Sequence, residues 1–477
     1  MPTHHPLPRP RAAARAAATT TPEDLAMPHA LPPSHFPARG GSRAPACLLL
    51  GALAGLLLLA SPRAQAVASF ARQTGAACAD CHIGSYGPAL TPYGMRFKLA
   101  GYTDSDGNGG KIPVSGQIVA ARSMPARGDS TSQISELDLY LAGRISEHVG
   151  GYAKLASNNT GKDKFDTRLT EFDVRFAGST FKLGGKDARI GVTVNNNPGA
   201  QDPIGVLPAA SSLGPASAYA GSTSILNSSA LSRRSVGTSV YATFDRDWYA
   251  ELGTYRSMSR SWQDRLGFPD AGDPGKLSDT GYLRLAYMGD FKRHFFSAGF
   301  TALSTRQRRP RGTGPSNDID DLGYDLTYQF LGDREHVLSL SYVNIYERRR
   351  YGDPLIGAVD PTRVPLRRGW IRDQSLGLHY AFRQRYGIRV AHMINTGSAD
   401  PARYVPYGVP DTTSNLISLY WTPFGREDSY TSQANLRLSA TWFRFDKFNG
   451  ASRRVFGAPT TDADDLNQFQ LAASLMF

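Results

Sequence analysis

Two cysteines and a histidine hold the clearest chemistry in this chain. Cys78, Cys81 and His82 stand in the stretch TGAACADCHIG (74–84), among small residues. C-x-x-C-H is the spacing that attaches a c-type haem. Two thiols three residues apart can add to the two vinyl groups of one porphyrin, and the adjacent imidazole can ligate its iron. A redox dithiol would want a βαβ setting, which the surrounding pattern lacks. A zinc site would need a fourth ligand, and no further Cys or His follows until His148. We therefore expect one covalently attached haem c on Cys78 and Cys81. His82 would ligate its iron and is thereby the candidate catalytic residue.

The iron's other axial position has two candidates. Met95 is the only Met or His in the same segment able to reach back, and Met/His ligation would raise the reduction potential. Met95 is equally readable as a packing residue. His148, in a predicted turn on the haem's side, is more remote. Downstream, Asp104, Asp106, Asn108 and Gly109 match the first half of a calcium loop, but position twelve is Ser115 instead of a bidentate acid. That stretch is expected to be a linker.

A haem peptide needs export and a scaffold. Residues 1–66 form an N-terminal extension and cleaved signal peptide: Arg39 and Arg43, then ACLLLGALAGLLLLA (46–60), then a small-x-small site at Ala64–Ala66. Fifteen apolar residues are too few to span a bilayer comfortably. Met27 is a candidate start, and Cys47 opens the apolar run, which argues against a lipid anchor. Residues 67–111 form the monohaem cytochrome segment, too short to bury a haem alone and expected in or against the mouth of whatever follows.

From residue 112 to 477 the pattern runs at period two. ISELDLYLAGR (134–144) sets Leu137, Leu139 and Leu141 against Glu136, Asp138, Tyr140 and Arg144. SLGLHYAFR (375–383) sets Leu376, Leu378, Tyr380 and Phe382 against Ser375, Gly377, His379 and Arg383. One row suits lipid and the other a polar lumen. Segments of ten to sixteen residues exceed soluble strands. Tight turns near 147–151, 177–181, 244–248, 289–292, 332–335, 383–387 and 424–428 alternate with long loops, the largest about 196–233. The chain ends FQLAASLMF, with Phe469, Leu471, Ala473, Leu475 and Phe477 in one row. The expected fold is all-β: about sixteen antiparallel strands, from 113–123 to 464–477, closing a transmembrane barrel behind the small cytochrome segment. Tyr380, Phe382, Tyr420, Trp421 and Trp442 are candidates for its aromatic girdles. Such a barrel belongs in the outer membrane of a Gram-negative bacterium.

Formal net charge is +12, but residues 1–66 hold six arginines against Glu23 and Asp24, leaving +8 spread over the rest. No basic block interleaves with aromatics, so nucleic acid is not an expected partner. Three cysteines exclude a disulfide scaffold.

SFARQTGAACADCHIGSYGPALTPYGMRFKLAGYT (69–103) resembles the start of the fused monohaem cytochrome–porins of the outer membrane, some of which are iron(II) oxidases. The matching pieces are Phe70-Ala71-Arg72-Gln73-Thr74, the haem motif, Leu90-Thr91-Pro92-Tyr93-Gly94, Phe97-Lys98-Leu99 and Gly101-Tyr102. Met95 departs from the family, which more often carries a basic residue there. The resemblance implies that Cys78 and Cys81 bind haem and His82 ligates it. It also implies that extracellular iron(II) gives one electron, which a periplasmic carrier cytochrome takes onward. The acids of NDIDD (Asp318, Asp320, Asp321) and TDADD (Asp462, Asp464, Asp465) could attract iron(II) or simply solvate loops. RQRRPRG (306–312) and ERRR (347–350) suit lipopolysaccharide phosphates. Glu136, Asp138, Arg144, Glu171, Asp173 and Arg175 could line an ion path or pair across the wall. Two further functions fit the same parts: a redox conduit for another extracellular donor, and a solute-uptake porin with a structural or sensory haem.

Overall fold

The computed structural model describes residues 68–161, 164–205, 223–227, 231, 233–270, 272–425, 434–457 and 460–477. The export segment, Cys47 and the cleavage site lie outside them, as do the middle of the 196–233 loop and residues 426–428 of the predicted 424–428 turn.

Three short helices come first: α1 (Ala68–Thr74), α2 (Cys78–Cys81) and α3 (Pro92–Leu99). Strands follow: β1 (Val114–Pro125), β2 (Thr131–Arg144), β3 (Val149–Asn159), β4 (Phe165–Ala177), β5 (Phe181–Leu183) and β6 (Lys186–Asn195). The four-residue α4 (Pro198–Gln201) precedes β7 (Ser235–Phe244) and β8 (Trp248–Ser257), and α5 (Arg260–Arg265) follows β8. The wall continues through β9 (Lys276–Phe291), β10 (His294–Arg308), β11 (Ser316–Phe330), β12 (His336–Arg350) and β13 (Arg368–Phe382). It ends with β14 (Tyr386–Gly397), β15 (Thr412–Trp421), β16 (Asn435–Lys447) and β17 (Gln468–Met476).

Every strand pairs antiparallel with its neighbour, and β17 returns to β1 in continuous register from Gln117↔Met476 to Pro125↔Gln468. That pairing closes the sheet and leaves no edge. Of the seventeen strands, β5 pairs only with the first residues of β6, extending the β4–β6 hairpin, so sixteen make the wall. The expected turn at 177–181 is corrected here: the chain runs on through β5 and reverses at Gly184–Gly185, both left-handed.

The period-two rows take the faces their chemistry demands. In β2, Leu139 and Leu141 are exposed while Asp138 and Ala142 are buried; in β13, Leu376 is exposed while Ser375 and His379 are buried. A closed wall with an apolar outer row and a polar inner row is the form that outer-membrane barrels take. Aromatics ring the short-turn end of the outer face, where Trp248 packs against Tyr287 and Tyr386 stacks on Trp421. Tyr420 does not belong to that girdle: it points inward and is buried against His379.

The chain after β6 turns into the lumen. Asn195 through Asn197, Gln201 and Asp202 are fully buried. Further on, the backbone N–H groups of Ser224, Ile225 and Leu226 donate to Asp373 (2.9 Å), Glu347 (2.7 Å) and Asp321 (2.9 Å) on β13, β12 and β11. Ile204, Ile225, Leu226 and Leu231 then pack with lumen tyrosines from β7 to β9.

Candidate functional site

Residues 68–111 meet the barrel at the end where its short turns lie. α3 shows how the sequence builds this segment. Thr91 caps it, accepting the Gly94 N–H at 3.3 Å, and Pro92 occupies the first turn, where its missing N–H costs nothing. The helix stops at Gly101, whose left-handed φ of 74° lets Gly101 N–H reach Lys98 O and Tyr102 N–H reach Phe97 O. This is a Schellman stop, and its usual hydrophobic contact is present: the Phe97 and Tyr102 rings lie 5.7 Å apart, edge to face. Phe70 from α1 completes the cluster, stacked on Tyr102 at 5.3 Å and edge-on to Phe97 at 5.0 Å. Three rings are a small interior, and the rest is supplied by the wall.

Anchoring contacts come from the whole length of the segment. Arg72 donates to the carbonyls of Ile112 (3.2 Å) and Val114 at the start of β1. Gln73 donates to the Tyr102 (2.8 Å) and Asp104 (2.7 Å) carbonyls and accepts the Arg144 N–H (2.6 Å) from β2, so one amide ties three pieces of chain. Tyr102 donates to buried Asp173 on β4 at 2.6 Å. Lys98 donates to the Ala200 (2.6 Å) and Asp202 (3.0 Å) carbonyls of the inward-folded chain, and burial lowers its pKa to about 8. On the opposite side, Asn435 and Arg437 of β16 donate to the Ser85 and Gly84 carbonyls, and Tyr86 bonds Ser474 of β17. Arg334, in the β11–β12 turn, meets Asp80 at 2.5 Å. Segment contacts therefore run right round the mouth, which matches the expected placement.

Inside this frame, Cys78 and Cys81 lie on α2 with free thiols, and His82 follows immediately. Burial pushes the thiols up to about 11 and about 12, so both stay protonated at neutral pH. Burial holds His82 down at about 4, which keeps its imidazole neutral, as a metal ligand must be. Its Nδ1 faces the Ala89 carbonyl at 3.3 Å. A carbonyl partner on Nδ1 sets the tautomer in which Nε2 carries the lone pair a metal would use. α3 braces α2 directly: Thr91 N–H donates to Cys81 O at 2.9 Å, and Gly94 lies so close that a Cβ there would sit 2.5 Å from that oxygen. Two free thiols and one neutral, oriented imidazole on a single turn are a donor set that fits a c-type haem.

Other sequence candidates fall elsewhere. Met95 is buried in the lumen's apolar cluster with Leu99 and Ile204. His148 is at the same end of the barrel as α2, but its Nδ1 bonds the Ala177 carbonyl at 3.0 Å and its ring tilts onto Phe176. Asp106 bonds Asn108 and Lys111, within a coil.

Several charged residues are reassigned. NDIDD is not a loop but part of β11: Asp318 pairs with Arg306 and Arg350, Asp320 accepts from Ser304, and Asp321 faces inward to hold the folded-in chain. In TDADD, Asp465 pairs with Arg127 and Asp462 accepts the Arg454 N–H. Of the lumen charges, Lys154 pairs with Asp138 (2.8 Å) and Glu136 (3.2 Å), and Arg175 with Asp173 (2.8 Å), while Arg144 is exposed. Arg437 escaped the sequence reading. It is buried, packs over the Tyr86 and Tyr420 rings at 4.7 and 4.1 Å, and has no carboxylate in ion-pair reach among the described residues.

No family model and no curated protein matches the chain. Solved structures similar to it are outer-membrane proteins. OmpT of Vibrio cholerae is 12% identical, with 76% of this chain and 98% of that one covered and a TM-score of 0.42. OmpF of Salmonella typhi, solved with daunomycin, is 10% identical over 77% and 98%, with a TM-score of 0.46. An anion-selective porin from Comamonas acidovorans is 13% identical over 76% and 98%, with a TM-score of 0.41.

Proposed function

We propose that this protein is an outer-membrane electron-transfer protein, a c-haem peptide fused to a porin-like barrel. It oxidises extracellular iron(II) to iron(III), and the electron passes to a periplasmic carrier cytochrome. The observation that carries this reading is the C-x-x-C-H turn braced inside the barrel's short-turn mouth, with free thiols and a neutral, oriented His82. Haem bound there supplies a one-electron iron couple. Cys78 and Cys81 would hold it covalently, and His82 would ligate the iron. α3 and β16 fix the motif's position. Short turns mark the periplasmic side of such barrels, which puts the motif within reach of a soluble carrier.

The test is expression in outer membranes with haem maturation, followed by anaerobic addition of ferrous iron. Reduction of the haem α-band supports iron(II) as donor; a covalent haem that stays oxidised removes it in favour of another donor. A covalent haem that ferrous iron leaves oxidised, together with sugar-driven liposome swelling, would favour the uptake porin, and absence of thioether-linked haem would overturn the reading altogether.

A further inference from the structure

On the outer face, at the long-loop end of β10 to β13, a basic cluster sits above the apolar row. Cross-strand register sets Asp320, Arg348 and Trp370 side by side, with Asp318, Arg350 and Arg368 in the next rank outward. Arg350 is held by Asp318 at 2.9 Å, and Arg306 divides itself between Asp318 (3.3 Å) and Asp279 (3.0 Å). Arg348 and Arg368 are exposed and have no carboxylate within ion-pair distance among the described residues. Tyr346 and Trp370 stack beside them, 5.9 Å apart. Together they border a cavity of about 500 Å³.

We propose that this cavity docks a phosphorylated sugar head group of lipopolysaccharide, with its acyl chains along the leucine row beneath. Three observations commit it to that occupant. Leu322, Leu326, Leu340 and Leu376 are exposed on the same face nearer the short turns, so the cluster lies at head-group height. The long-loop end faces outside, where the leaflet lipid carries phosphate monoesters. Unpaired guanidinium groups match phosphate in forked geometry, and an indole beside them suits the border between acyl chain and sugar. The exposed ion pairs beside it orient Arg350 without neutralising the two free arginines. The proposal does not depend on haem.

The experiment measures retention by the detergent-purified holoprotein of three probes: lipopolysaccharide, its enzymatically dephosphorylated form, and phosphatidylglycerol. Wild type should retain the first and lose it on dephosphorylation. Arg348→Glu with Arg368→Glu should weaken retention at least about tenfold, as loss of charge-assisted contacts predicts. Arg383→Glu, at the opposite rim, should leave it unchanged. Heat-modifiable gel mobility verifies that each barrel is folded, and Arg348→Gln with Arg368→Gln serves if the reversal misfolds. Equal retention of phosphatidylglycerol, indifference to dephosphorylation, or retention unchanged in a folded double variant would each overturn the proposal.

Discussion

Gly94→Ala is the sharpest test of how α3 braces the C-x-x-C-H turn. Two effects oppose each other. Alanine favours a helix interior over glycine by about 1 kcal/mol, so α3 alone would be strengthened. Against this, the new Cβ would sit 2.5 Å from the Cys81 carbonyl oxygen, 3.2 Å from its carbon and 3.1 Å from Leu90 Cδ2. The nearest obstacle is backbone and cannot rotate away, so overpacking belongs at the upper part of its usual range of about 1–3 kcal/mol. Shifting α3 also strains the Thr91 N–H bond to Cys81 O, with a net worth of about 1 kcal/mol. The sum is a net loss of about 1–3 kcal/mol in docking of α2 on α3. Hydrogen exchange of residues 78–99 in the haem-free, detergent-solubilised chain should rise about five- to a hundredfold. Gly109→Ala is the control, since nothing lies within 4 Å of its Cβ position. Protection in Gly94→Ala equal to or above wild type would refute the bracing role.

Tyr102→Phe removes a donor from buried Asp173, which keeps Thr193 (2.7 Å) and Arg175 (2.8 Å). A loss of about 1–2 kcal/mol is expected, read as earlier proteolysis of the segment while heat-modifiable barrel mobility is retained. Arg334→Ala should change little, within about 1 kcal/mol, because its ion pair with Asp80 is partly exposed; thermal melting checks this. In the haem-free protein, His82 holds its proton less tightly than the ordinary 6.5, with a pKa near 4. The unfolded segment then binds more protons between those values, so docking is fully stable above about 6.5 and weakens as pH falls toward 4. His82→Gln should flatten that slope in a pH series of hydrogen exchange.

The wall was legible because its rows repeat every second residue for long stretches. The same alternation runs on into stretches whose composition resembles loops. NDIDD looked like an acidic loop, yet alternation splits it, sending Asp318 and Asp320 outward and Asp321 inward with Asp325 and Thr327. Arg348 and Arg350 separate from Arg349 in the same way. The turn at Gly184–Gly185 carried its own signal in the glycine pair. The inward path of the chain after β6 had no local signal, because the carboxylates that hold it come about a hundred residues later. The C-x-x-C-H motif was plain from spacing alone. What Gln73, Lys98 and Tyr102 do was not, since each acts on a backbone or a strand far away in sequence.

Gln73 has a consequence for how the two parts depend on each other. Its amide belongs to α1 but joins the chain after α3 to β2, so cutting the peptide free would dissolve the joint together with the tether. Dependence runs one way. The cylinder's circuit of backbone pairing runs from strand to strand throughout, whereas the lodger's own packing centres on the cluster of Phe70, Phe97 and Tyr102.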